Sequence, residues 1–87
     1  MPGNSPLRAK AITELRLLLP EFKGRNRFFL ITTLGSLGDR QIKDVLLNYD
    51  IRQELKENAE ESNNLQEYYL KPAIEQFKLY ESAGSLR

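Results

Sequence analysis

The chain has no cysteine and no histidine. Without cysteine it forms no disulfide and offers no thiolate as nucleophile or metal ligand. Without histidine it lacks the imidazole of most general bases and the usual ligand sets of zinc. Gly35 and Gly38 fit neither the phosphate-cradling loop nor the dinucleotide fingerprint. Ser5, Ser36, Ser62, Ser82 and Ser85 have no histidine to activate them, and none begins a Ser-x-x-Lys arrangement. Asp39, Asp44 and Asp50 lack the spacing of a calcium loop. Glu57, Glu60 and Glu61 read as a solvated acidic face. The expectation is a protein that is not an enzyme and takes no cofactor or metal. No apolar run is long enough to span a bilayer, and Met1 to Asn4 lacks the charged and apolar regions of a signal peptide. A cytoplasmic location is expected.

What is present is a chain of 87 residues, enough for one domain with a thin core, for which a partner or self-association is a natural complement. It is 40% hydrophobic and 29% charged, slightly lean and slightly rich for a globular domain. The net charge of +1 gives no global attraction to nucleic acid or membrane. Residues 1–49 hold eight basic and four acidic side chains and residues 50–87 hold five and eight, so the two parts carry +4 and −3. Such a dipolar chain suits head-to-tail pairing or a polar partner.

Helical periodicity dominates. Ser5-Pro6 reads as a cap and first helical position. Leu7, Ala11, Leu15, Leu18 and Phe22 then form a stripe that Ile12 and Leu19 widen, with Arg8, Lys10 and Arg16 on other faces, and Pro20 ends the helix near Leu19. Gly24 is the turn residue of the next connection, and Asn26 caps a second helix to about Leu34. Phe28 to Thr33 has strand propensity. No partner strand is evident, so a buried helix is expected unless two chains pair there. Gly35 closes this segment, and Ser36 to Asp39 has capping-box spacing. The following helix buries Ile42, Val45, Leu46 and Tyr49 and breaks at Asn48 to Asp50, where Asp50 is either interior or a cap for Gln53. Ile51, Leu55 and Ala59 mark another helix whose acidic end at Glu57 to Glu61 should fray. Ser62 to Asn64 reads as a loop. Leu65, Tyr69, Ala73, Phe77 and Tyr80 mark the last helix, which Pro72 either kinks or divides. The expected architecture is all-α: a compact bundle of four to five short helices, with a flexible lead at 1–4, one helical domain at 5–82 and a flexible C-terminal tail at 83–87.

Leu37, Asp39, Arg40, Ile42, Val45 and Leu46 form a pattern that resembles a helix start in armadillo-like modules of the flagellar rotor switch protein. The pattern spans residues 37–46 and consists of capping and core positions, so it implies a helix and no function.

Two groups of side chains stand out. Lys23, Arg25 and Arg27 precede Phe28 and Phe29 at a helix start, where cations and exposed N–H groups suit a phosphate or an acidic side chain. Tyr68, Tyr69 and Tyr80 lie along the last helix, and Tyr combines area, rigidity and a polar tip. The alternative for both groups is structural, as a solvated turn and a core edge. A helix-turn-helix around Asn48 to Asp50 is disfavoured, because the second helix is net negative and faces phosphates poorly. The leading expectation is a small non-catalytic adaptor, regulator or assembly subunit that binds protein through Arg25, Arg27, Tyr68, Tyr69 and Tyr80. The alternative is a helical subunit of a nucleoprotein complex, with Lys23, Arg25, Arg27, Arg8, Lys10 and Arg16 on phosphates.

Overall fold

A computed structural model describes residues 6–86; Ser5 and the lead at 1–4 lie outside this range, as does Arg87. The chain is a compact all-α bundle. Its elements are α1 (Pro6–Arg16), a 3₁₀ turn (Leu19–Glu21), α2 (Gly24–Ser36), a 3₁₀ turn (Arg40–Ile42) running into α3 (Lys43–Leu47), α4 (Ile51–Leu55), α5 (Ala59–Leu65), a π turn (Gln66–Leu70) and α6 (Lys71–Ser82). The last three are continuous, so five helical rods make up the bundle. None of the described helices is long and apolar enough to cross a membrane.

The stretch with strand propensity is the central helix. No charged residue occurs between Phe28 and Gly38. A helix without charge around its circumference suits the middle of a bundle, and α2 packs against α1, α3, α4 and α6. Phe28, Ile31 and Leu34 are fully buried with Leu46 of α3 and Phe77 of α6. Each such side chain stabilises the fold by about 1.5–3 kcal/mol. α2 begins earlier than the sequence suggests. Gly24 opens it at φ +59° after an extended Lys23, and Asn26 falls in the first turn instead of capping it. It also runs through Gly35, where a Cβ would stand 2.6 Å from Leu46 Cδ2. Glycine there permits close approach of α3. The stop is Gly38 at φ +80°. The Gly38 N–H bonds to Gly35 O at 3.0 Å and the Asp39 N–H to Leu34 O at 3.0 Å, a Schellman pair that satisfies the last carbonyls.

Ser36 therefore belongs to α2 and makes no capping box. Asp39 caps the next segment itself, its Oδ1 accepting from the Gln41 N–H at 3.1 Å. Ile42 and Leu46 are buried as expected, Tyr49 is half-buried, and Val45 is exposed. The break at Asn48 to Asp50 is present, with Asp50 capping α4 through the Gln53 N–H at 3.2 Å.

The acidic stretch differs from expectation. Lys56 takes a left-handed conformation at φ +55° and ends α4. Asn58 then caps α5 by accepting from the Glu61 N–H at 2.8 Å. Glu60 and Glu61 thus sit in a first turn, where the helix dipole favours them. The expected loop at Ser62 to Asn64 lies inside α5.

Pro72 neither breaks the last helix nor divides it. The wide turn just before it, closed by the Lys71 N–H on Gln66 O, makes room for a ring that crowds the carbonyl four residues back. The extra residue shifts the buried face: Leu65 is followed by Leu70, Ala73 and Phe77, leaving Tyr69 outside the stripe predicted for it.

The first turn of α1 departs from expectation. Ile12 is buried and Leu15, Leu18, Leu19 and Phe22 pack partly buried against the core, as the stripe predicts, while Leu7 is 79% exposed. The residue buried in that first turn is Arg8. Its guanidinium donates to Leu37 O and to Ser85 O, the latter at 2.6 Å, and lies 4.3 Å from the centre of the Tyr80 ring. The α-helix ends at Arg16 because the Pro20 ring crowds that residue's carbonyl. Leu17 is exposed. The short tail after Ser82 turns at Gly84, φ +68°, and Leu86 rests against the core.

Candidate functional site

The six cations proposed for phosphate contact do not form one surface. Arg8 is 6% exposed and holds α1 to the α2–α3 turn and the tail. Arg16 donates to Gln41 Oε1, and its Nε lies 3.6 Å from Asp39 Oδ2. Arg25 is exposed, and its Nε donates to Glu57 Oε1 at 2.8 Å. That bond and its charge hold Arg25 above its ordinary pKa and Glu57 below the usual carboxylate range. Lys10 and Lys23 are exposed, and Arg27 is half-buried. The chain's own carbonyls and carboxylates thus occupy three of the six.

The five residues predicted to bind protein separate as well. Tyr80 is half-buried beneath Arg8, in a structural position. Tyr68 and Tyr69 are 73% and 47% exposed on the π turn. The Tyr69 ring packs 5.0 Å from Phe29. Arg27 and Phe29 are two residues apart on α2, hence about 200° apart around it. The tyrosine pair and Arg27 look out from opposite sides.

On the tyrosine side two grooves run along α2. One lies against α1 and is lined by Leu15, Phe22, Asn26, Phe29, Leu30 and Thr33. The other lies against the π turn and α6, where Tyr68, Tyr69, Pro72 and Ala73 face Thr32, Thr33, Ser36 and Leu37. Thr33 is exposed and belongs to both. None of these side chains is charged. Sequence reasoning missed Thr33, Ser36 and Pro72, and placed Phe29 within a buried helix. The signal was the uncharged run from Phe28 to Gly38, too long for the one face of α2 that the core covers.

On the other side of α2 is a groove of about 390 Å³. Arg16, Arg27, Asp39 and Gln41 supply its polar groups, and Leu19, Pro20, Ile42 and Val45 its apolar walls. Asp39 is 0% exposed, and its Oδ2 accepts no hydrogen bond. Burial pushes the Asp39 carboxyl up, against the opposing pull of the Gln41 N–H and Arg16. The Arg27 side chain has no hydrogen bond or ion pair among the described residues. Tyr49 packs on Phe28 at 5.2 Å; burial and then Glu54 raise its phenol pKa, and Arg27 lowers it.

A larger concavity, about 650 Å³, with mixed polar and apolar walls, lies between the α3–α4 break and α5 and touches none of the residues predicted to bind. Among the described residues no three His, Cys, Asp or Glu side chains come together to hold a metal ion. In comparisons with protein-family models, curated proteins and solved structures, nothing matches the chain.

Proposed function

We propose that this chain is a non-catalytic adaptor, regulator or assembly subunit that acts by protein–protein contact. The docking surface is the uncharged double groove along α2, with Tyr68 and Tyr69 on its rim. One observation carries this reading: in a chain that is 29% charged, two adjoining grooves hold no charged side chain. Interface centres are depleted of charge and enriched in Tyr and Phe. A partner gains most where aromatic side chains enter a water-excluding groove. The lack of cysteine suits the reducing cytoplasm. The nucleoprotein alternative loses support, because Arg8, Arg16 and Arg25 are held by the chain itself.

The test is affinity capture on the intact protein with and without nuclease. Thr33→Arg places a charge where the two grooves meet, and Arg27→Gln serves as the opposite-side control. A partner that survives nuclease, is retained by Arg27→Gln and is lost with Thr33→Arg is the expected result. Retention that disappears with nuclease would instead make the cations the working surface.

A further inference from the structure

The Arg27 groove is independent of the uncharged face, and its chemistry is different. Arg27 is half-buried, and its side chain forms no hydrogen bond or ion pair among the described residues. Holding such a charge without a counter-ion is costly, and a carboxylate accepting two parallel N–H bonds is the group that best relieves it. A second guanidinium is fixed elsewhere in the groove. Arg16 is positioned by Gln41 on one nitrogen and by Asp39 on Nε, which leaves Nη1 uncommitted among the described residues. Arg16 projects from the end of α1 and Arg27 from the first turn of α2, and both line the groove. Leu19, Pro20, Ile42 and Val45 supply apolar walls to the same groove, with Val45 accessible at 37% exposure. Among the described residues the only carboxylate in the lining is Asp39, buried and turned to Arg16, so the open charge of the groove is positive.

We infer that this groove binds an acidic segment of a protein partner: one carboxylate on Arg27, a second toward Arg16, and an apolar side chain between them on Val45. The groove volume, about 390 Å³, lies within the range of ligand sites. Arg27 supplies charge selection, because a neutral segment leaves its guanidinium desolvated and unpaired. Asp39 and Gln41 are positioning residues that hold Arg16.

The probe is a capped Glu-Leu-Glu tripeptide titrated into the isotope-labelled full chain, read by the Arg27 Nε–H and Val45 methyl NMR signals. Capped Gln-Leu-Gln and sodium acetate are run in parallel. A saturable shift is expected with Glu-Leu-Glu, weakened about tenfold or more by Arg27→Gln or by the neutral peptide. Because the Arg27 side chain makes no hydrogen bond among the described residues, Arg27→Gln should keep the amide spectrum of the folded chain. Val45→Asp, which puts a repelling charge on the floor, gives the same loss by another route. Thr33→Arg should leave the titration unchanged, so failure here is separate from failure of the uncharged face. Equal binding of the neutral peptide, or no saturable shift, would overturn the assignment. Acetate that saturates the same signals as tightly as the peptide would also overturn it, in favour of a small free carboxylate.

Discussion

One helix, α2, presents two unlike sides to solvent. Around Phe29, Thr33 and Ser36 the surface is uncharged and framed by tyrosines. Around Arg27 it is a groove with two guanidiniums and one buried carboxylate. Both sides rest on the same floor of Phe28, Ile31 and Leu34. The two sides suit different tasks: an uncharged groove supplies contact area, and a groove with an unpaired arginine discriminates by charge. Placing them back to back on one buried helix makes both depend on the same packing.

The largest perturbation removes that floor. Phe28→Ala deletes a fully buried ring and should cost about 3–5 kcal/mol. The urea midpoint should fall steeply, and both sides should be lost together. If one side kept its binding in this variant, the shared-floor view would be wrong.

A smaller effect is expected at the end of α2. Gly38 sits at φ +80°, and a Cβ there would stand 2.8 Å from Arg8 Nη1 and 2.9 Å from the Tyr80 ring. Gly38→Ala should destabilise by about 1–2 kcal/mol from backbone conformation alone, with further loss if Arg8 is displaced. The denaturation midpoint should drop, and protection of the tail amides from hydrogen exchange should fall with it.

Smaller still is the pH response of the Arg27 side. Burial raises the Asp39 carboxyl, so between its unfolded and folded pKa values the native state binds more protons than the unfolded state. Stability from this group is therefore present at low pH and is lost as pH rises through the raised folded pKa. Glu57 is shifted down and works in the opposite sense, so the useful quantity is a difference between variants. Asn replaces Asp well as a helix cap. Asp39→Asn should therefore remain folded, and its midpoint difference from the parent chain should change across that window. A constant difference at every pH would contradict the assigned shift.

The sequence told these regions apart unequally. The helical class and the break at Asp50 were legible because apolar spacing and side-chain caps are local signals. The helix over Phe28 to Leu34 was legible only by elimination, since its propensity points to strand and its place in the bundle decides otherwise. The π turn was not legible: it serves Pro72 and becomes visible only when Leu65 and Leu70 bury the same face. The role of Arg8 was hidden for a similar reason. Its partners are carbonyls of Leu37 and Ser85, far away in sequence, and backbone acceptors leave no trace in composition. Of the candidate sites, Tyr68, Tyr69 and Arg27 were chosen by residue type. Their separation around α2 required the rotation of that helix within the bundle, which Gly24 and Gly38 help to set at its ends.

The most direct test of the docking claim is isothermal titration of the captured partner against the parent chain and Thr33→Arg, with thermal unfolding of both. Thr33 is exposed, and arginine is at least as good a helix former, so stability should change by no more than about 0.5 kcal/mol. Affinity should fall by about thirtyfold or more, as for a charge placed at an interface centre. Unchanged affinity in a variant of unchanged stability would contradict the account.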